Sequence, residues 1–330
     1  MSQDENGSDF WRGRRVFITG CTGFLGSWLT AALIERGAVV IGLVRQQEPE
    51  SQLVRSGLIG QVEQVSGELL DYALLRSTLV ECAIDTVFHL AGQTIVGVAN
   101  REPVATFETN IRGTWLLLEA ARQTPTVRGI VIASSEKAYG EQLNLPYREE
   151  FPLQGRHPYE VSKSCADLIA QSFAHTYGQA IAVTRCSNLY GGGDLNWNRL
   201  IPGTIRSLLS GERPVIRSDG SFRRDYLYVA DAVRGYLMLA ERLTEPGVRG
   251  QPFTLGSGCP VSALDVVRTI VALSGHPEWD PIILNEVKHE IQDEYLSPDK
   301  ADAAIGWRPQ YSLEAGLEEA MRWYRAYLRS

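Results

Sequence analysis

The chain has 330 residues, 44% of them hydrophobic and 22% charged, enough for a full core and a smaller second lobe. A formal net charge of −7 gives no electrostatic reason to expect nucleic acid or an anionic membrane as partner, although a few local arginines would suffice for a phosphorylated ligand. The cysteines, Cys21, Cys82, Cys165, Cys186 and Cys259, are odd in number and form no C-x-x-C pair, which argues against a disulfide framework and a zinc site. Together with a polar Met1–Arg15 segment and no apolar run of bilayer length, they predict a soluble protein of the reducing cytoplasm.

Val16–Thr19 reads as a short buried strand, followed at once by Gly20-Cys21-Thr22-Gly23-Phe24-Leu25-Gly26 and a helical pattern (Trp28, Leu29, Ala32, Leu33) that ends at Gly37. Val39–Val44, Val62–Ser66, Thr86–Leu90, Gly129–Ala133 and Ile181–Thr184 read as further strands, apolar on both faces as parallel sheets require. Helical patterns lie between them, notably Val104–Gln123 and Tyr159–Tyr177, and the alternation predicts an α/β fold with a doubly wound parallel sheet. Beyond about Asn188 the rhythm breaks at Gly191-Gly192-Gly193, Pro202, Gly211, Pro214 and Gly220. The expected division is a sheet domain over residues 1–188, with about 229–257 returning to it, and a smaller C-terminal α/β substrate lobe from about 189–228 and 258–330.

Gly20-x-x-Gly23-x-x-Gly26, between a strand and a helix, fits a dinucleotide site. The chain must turn sharply there, and the helix N-terminus then faces a pyrophosphate. A tight strand-to-helix turn also needs glycine without any ligand. At the end of the second strand an acid would favour the ribose hydroxyls of NAD and an arginine the 2′-phosphate of NADP. Arg45-Gln46 stands there with no acid before Glu48, so NADP is possible, though an exposed arginine is often only a solvated charge. Glu68 and Asp71 follow the third strand, where a carboxylate could accept the adenine amino group; helix N-capping by Asp71 is at least as good a reading.

A phenol is a poor base near neutrality unless positive charge stabilises its phenolate, and Lys163, one helical turn after Tyr159, is placed to supply it. Ser135 ends an apolar strand and is followed by Glu136 and Lys137, which could also be a surface ion pair at a strand end. On Thr19-Gly20-x-x-Gly23-Phe24-x-Gly26, His89-Leu90-Ala91-Gly92-Gln93, Asn110 with Gly113-Thr114, Ser134-Ser135, Tyr159-x-x-x-Lys163, Arg185 with Asn188, Arg224-Asp225-Tyr226-x-Tyr228-Val229-x-Asp231 and Gly306-Trp307-x-Pro309, the chain resembles the extended short-chain dehydrogenase/reductase family. The members it resembles are the NAD-dependent sugar-nucleotide epimerases and dehydratases. Ser135-Glu136-Lys137, Pro158-Tyr159 and Gly191-Gly192-Gly193-Asp194 look most like CDP-glucose 4,6-dehydratases, which usually carry Asp where Glu136 stands. Gly42-Leu43-Val44-Arg45 instead resembles the NADP-using GDP-mannose 4,6-dehydratases.

The resemblance implies a Rossmann fold, a nucleotide-diphosphate sugar as substrate and transient oxidation at C4 of the sugar. It places Gly20, Thr22, Gly23, Phe24, Leu25, Gly26, Arg45, Glu68, Leu69, Leu90, Ala91, Gln93, Tyr159 and Lys163 at the cofactor. It gives oxidation to Ser135, Tyr159 and Lys163 and elimination to Glu136 and Lys137, with acid and base roles open between those two, and puts Asn188, Arg199, Arg217 and Arg224 at the substrate. Simple epimerases of the family usually carry small neutral residues at positions 136 and 137, which favours a dehydratase over an epimerase; a sugar-acid decarboxylase would want a further cation at the substrate carboxylate, and a non-catalytic dinucleotide sensor has no need of Ser135, Tyr159 and Lys163. The histidines, His89, His157, His175, His276 and His289, show no ligand spacing, so no catalytic metal is expected. The long helices resemble those that pair across the family's homodimer.

Overall fold

The computed structural model describes residues 9–46, 48–286 and 291–329; Met1–Ser8 and His289, which entered the sequence reading, lie outside the described residues. Strands β1 (Arg15–Thr19), β2 (Val39–Val44), β3 (Glu63–Ser66), β4 (Thr86–His89), β5 (Gly129–Ala133), β6 (Ile181–Cys186) and β11 (Gln251–Leu255) form one sheet in the order β11-β6-β5-β4-β1-β2-β3. Every pairing in it is parallel. Successive side chains of β1 point to opposite faces. Val16 and Ile18 pack against α1 (Phe24–Glu35) and α6 (Val229–Glu241), and Phe17 packs with α2 (Tyr72–Glu81), α3 (Gly113–Arg122) and α4 (Pro158–Tyr177). Both faces of the sheet are therefore covered, the condition for a stable parallel sheet and the reason its central strands are apolar throughout.

Strand β3 departs from the expected double burial: Glu63, Gln64 and Ser66 are exposed, because β3 is an edge with β2 on one side only. The helix expected over 104–123 is also not uniform. Pro103–Phe107 leads through a π-helical turn at Glu108–Arg112 into α3. The wider turn carries Asn110, whose side chain accepts from the Gln93 amide at 2.7 Å and donates to the Gln93 carbonyl at 3.0 Å and the Ser162 hydroxyl at 2.8 Å. One buried amide thus fixes the loop after β4 against α4.

A second apolar cluster gathers α5 (Leu200–Leu209), α7 (Ala263–Ser274) and α9 (Leu313–Tyr327) around Tyr190, Ile216 and Tyr228. Short pairings complete this smaller lobe: β7 (Asn188–Tyr190) with β10 (Tyr226–Tyr228), β8 (Val215–Ile216) with β13 (Ile282–Ile283), and β9 (Arg223–Arg224) between β12 (Val261–Ser262) and β14 (Asp293–Glu294). The two bodies are tied at several points. Trp28 Nε1 donates to the Gly192 carbonyl at 2.7 Å, Trp323 Nε1 to Gln52 Oε1 at 2.7 Å, and the Asp231 carboxylate accepts the amides of Gln310 and Tyr311, each at 2.9 Å.

The tightest approach in the sheet domain is at the glycine turn. A Cβ on Gly26 would sit 1.9 Å from the Gly20 carbonyl oxygen, and Gly20 itself has φ +77° with Ala91 packed against it. The Gly26→Ala variant must push α1 off the turn and is expected to lose about 1–3 kcal/mol of stability, the cost of a forced backbone shift. Urea unfolding with an unchanged midpoint would show that the turn yields freely.

Candidate active site

The strand order reverses between β1 and β4, so the connections leaving their carboxyl ends diverge and open a crevice. Two cavities share its floor at Gly20, Gly23, Ala91 and Gly92. The outer one, about 560 Å³, is lined by Thr22, Arg45, Glu68, Leu69 and Gln93; the inner one, about 500 Å³, by Phe24, Leu25, Gly26, Leu90 and the acid–base residues. Helix α1 begins at the junction with Gly23 as N-cap, no side-chain cap and no acid in its first turn, so its amides are left for an anionic ligand. Arg45 is exposed, and Glu48, which accepts from Gln46 at 2.7 Å, lines the same outer cavity. Asp71 is committed elsewhere: its carboxylate caps α2 by accepting the Leu74 amide at 3.0 Å.

Ser135 follows β5 and caps the 3-10 turn Glu136–Tyr139, accepting the Lys137 amide at 3.2 Å. The turn delivers two successive side chains to the inner cavity opposite the start of α4, where Tyr159 and Lys163 stand one turn apart. Burial pushes the Tyr159 phenol up, while a hydrogen bond with the Ser135 hydroxyl and the charges of Arg199 and Lys137 pull it back. Burial lowers the Lys163 amine to about 8, against the opposing pull of Cys186 and Asp167, and its Nζ donates to the Ala133 carbonyl at 2.8 Å. The neighbouring His89 is lowered to about 3 by burial and by Lys163. Neutral, its ring bonds Thr19 Oγ1 at 2.7 Å and Thr114 Oγ1 at 3.0 Å and adds no charge to the site.

Glu136 is 2% exposed, which excludes the surface ion pair. Burial raises its carboxyl well above the usual range; Glu294 and Asp225 push the same way, and Lys137 and Arg224 oppose them. Oε1 accepts from Asn188 Nδ2 at 2.6 Å, whereas Oε2 has no partner. The Ser134 and Ser187 hydroxyls in the same cavity wall are also unpartnered. Lys137, its side chain 26% exposed, bonds Glu294. Burial lowers its amine, but Glu294 and Glu136 outweigh burial and hold it above its ordinary value. A lowered Lys137, which base action would need, is therefore not what the resting site provides.

Among the residues expected at the substrate, Asn188 orients Glu136, and Arg199 lines the inner cavity with its guanidinium 2.9 Å from buried Asp194. Arg217 and Arg224 line neither cavity. Arg217 Nη2 reaches Asn198 Oδ1 at 3.5 Å, and Arg224 donates to the carbonyls of Arg223, Gln292 and Ile291 at 2.9, 2.8 and 2.7 Å and pairs with Glu294 at 3.2 Å. Glu294 itself escaped the sequence reading. It lies in a motif-free stretch, and its role depends on β14 meeting β9. Among the described residues no cluster of three or more His, Cys, Asp or Glu side chains is arranged to hold a metal ion.

Comparison with known proteins agrees with this arrangement. A family model described as GDP-mannose 4,6 dehydratase matches residues 17–320. The chain is 32% identical to a CDP-glucose 4,6-dehydratase of Salmonella typhimurium, over 97% of this chain and 93% of that one. Among solved structures it is similar to a UDP-glucose 4-epimerase of Thermotoga maritima with UDP-glucose (TM-score 0.87, 27% identity, 95% of this chain and 99% of that one). It is likewise similar to a dTDP-glucose 4,6-dehydratase of Bacillus anthracis in complex with NAD (TM-score 0.83, 26% identity, 95% and 97% covered). A Rossmann sheet carrying Ser135, Tyr159 and Lys163 at its switch point, with these matches along nearly its whole length, places the chain in the GDP-mannose 4,6 dehydratase family of extended short-chain dehydrogenase/reductase enzymes.

Proposed function

We propose that the chain is a nicotinamide-dependent sugar-nucleotide 4,6-dehydratase acting on an NDP-hexose of the CDP-glucose type. Glu136 carries this reading: a carboxyl that burial raises well above the usual range, with one oxygen unpartnered among the described residues, in the cavity that holds Tyr159. An epimerase needs no acid there. The dinucleotide fits the residues present, because the uncapped N-terminus of α1 and the missing side chain of Gly26 leave room and amides for a pyrophosphate beside Thr22, with Glu68, Leu69 and Gln93 lining the outer cavity. A nicotinamide held there would supply reversible hydride storage between C4 and C6 of the sugar.

Tyr159 takes the proton of the C4 hydroxyl, Ser135 holds the same oxygen, and Lys163 supports the phenolate. The ketone so formed acidifies C5. Lys137 removes that proton, Glu136 protonates the departing C6 hydroxyl, and the product is a 4-keto-6-deoxy sugar nucleotide. We assign Arg199 as first phosphate contact and Arg217, exposed on the smaller lobe, as second; Arg224 contributes by holding Glu294.

Arg45 beside Glu48 admits both NAD and NADP. Removing the cation in Arg45→Ala is expected to weaken NADP roughly tenfold, the worth of one charge-assisted hydrogen bond, and NAD much less. Equal losses for the two in fluorescence titrations would take Arg45 out of cofactor choice.

Val104 (73% exposed), Trp115 (40%) and Leu168 (56%) leave an apolar face on the helices at 103–122 and 158–177, which we assign to a homodimer. Sedimentation of the Trp115→Glu/Leu168→Glu variant is expected to give a monomer where the parent chain gives a dimer; a monomeric parent refutes the assignment. No helix of the described residues is long and apolar enough to cross a membrane, and the cysteines are free, which suits a reducing cytoplasm.

The reaction is tested by incubating the protein with CDP-, GDP-, UDP- and dTDP-hexoses and following products by NMR. Loss of the C6 hydroxyl is expected with one of them. Retention of that hydroxyl across the panel with an inverted ring centre would establish an epimerase. With the turned-over substrate, Glu136→Gln is expected to keep C4 oxidation and lose elimination by on the order of 100-fold or more.

A further inference from the structure

Burial shifts the Glu136 carboxyl upward and Glu294, in contact with Lys137, shifts the Lys137 amine upward, so Lys137 serves as a base only once a proton leaves it. A carboxylate in contact with the amine offers it a destination. Glu294 is fully buried on β14 of the smaller lobe, its Oε2 accepts from Lys137 Nζ and from Arg224 Nε at 3.2 Å, and its Oε1 has no partner. It lines neither cavity, so it stands behind Lys137 rather than against the substrate.

We propose that Glu294 is the positioning residue of the elimination step: it holds Lys137 beside Glu136 and takes up the lysine proton when Lys137 acts as base. The inference rests on the dehydratase reading. The proton passes from Lys137 Nζ to Glu294 Oε2, converting an ammonium–carboxylate pair into a neutral amine and a neutral carboxylic acid. The amine then binds the C5 proton, leaving an enolate on the sugar. Net charge inside the wall is unchanged by the first transfer, and the Arg224 guanidinium keeps its bonds to the carbonyls of Ile291 and Gln292 while Glu294 is neutral.

The groups facing Glu294 fix its surroundings. Lys137 and Glu136 come from the 3-10 turn, Arg224 from β9 and Tyr147, with an unpartnered hydroxyl, from the loop before α4. Arg224 is itself anchored by backbone carbonyls at 291 and 292, so it stays with Glu294 while the proton moves. The main chain that bears Glu294 is held as well, its carbonyl accepting the Asp225 amide at 3.1 Å.

Two variants of the full chain test the proposal, Glu294→Gln and Glu294→Asp. The first readout needs no substrate: competitive acetylation of Lys137 across pH, followed by peptide mass spectrometry, gives the pH at which the amine becomes reactive. Glu294→Gln is expected to lower that midpoint and Glu294→Asp, which keeps the charge, to leave it near that of the parent chain. The second uses the NDP-hexose turned over by the parent chain. Glu294→Gln is expected to reduce deuterium exchange at C5 and elimination on the order of 100-fold while C4 oxidation and KM stay within about threefold. An unchanged acetylation midpoint in Glu294→Gln, or loss of C4 oxidation in step with elimination, overturns the proposal. Should Glu294→Gln not fold, Glu294→Asp decides alone: retained midpoint with reduced C5 exchange supports it, and parental C5 exchange overturns it. If the parent chain dehydrates no hexose of the panel, the dehydratase reading has failed, whereas the acetylation midpoint still reports the Glu294–Lys137 link.

Discussion

Much of the proposed chemistry depends on keeping charge balanced in a largely buried wall. Glu136, Asp225 and Glu294 are buried within the same wall as Lys137 and Arg224. Burying an unpaired ion is costly, and burial accordingly raises the carboxyls of both Glu136 and Asp225 above their usual range. Asp225 is satisfied otherwise, by the Ser257 amide at 2.8 Å, the Ser257 hydroxyl and the amides of Gly258 and Leu296. Glu294 has both cations. Among the described residues Glu136 accepts from the amide of Asn188, a neutral donor. The upward shift that suits Glu136 to the proposed acid role thus comes from the distribution of partners and not from its own residue type.

This balance spans two bodies. The turn that carries Glu136 and Lys137 hangs from β5 of the main sheet, while Glu294, Arg224 and Asp225 belong to the short strands beyond β6. An error in how the smaller lobe seats would part Lys137 from Glu294, so the charges and the seating support one another. Trp28, Trp323 and the Asp231 carboxylate, with its two amide donors, supply the remaining ties.

The strands and helices of the sheet domain were legible from residues 16 to 186 because each signal there is local. Gly20 needs its positive φ, Gly26 has no room for a Cβ, and strands buried on both faces must be apolar throughout. The edge strand β3 was read as buried because Val62 and Val65 hide the fact that its other positions face water. Ser135, Tyr159 and Lys163 were visible for the same local reason, as was the Glu136-Lys137 pair. What the pair's protonation would be was not visible. The charge that keeps Lys137 protonated comes from a residue 157 positions away, through a strand of two residues that no periodicity announces. Arg224 illustrates the converse: a cation read from its motif as facing ligand phosphate is in the structure occupied by Glu294 and three backbone carbonyls.

Likeness of fold alone does not choose between dehydration and epimerisation, because the chain superposes as well on an epimerase as on a dehydratase. Both chemistries share the oxidation step proposed for Tyr159, Ser135 and Lys163, and both need the sheet to present those groups at the same crevice. They part only after the ketone exists. An epimerase must then leave the C5 hydrogen and C6 hydroxyl untouched, which a wall of small neutral side chains accomplishes by offering no proton donor or acceptor. A dehydratase must place an acid and a base within reach of adjacent carbons and still keep them from neutralising each other. Two neighbouring residues on a 3-10 turn satisfy the first demand, since both side chains enter the cavity from one short segment. The second demand requires separate partners for each, and here Asn188 serves Glu136 while Glu294 serves Lys137. The divergence in function therefore lies less in the pair itself than in the residues that keep the two members chemically distinct.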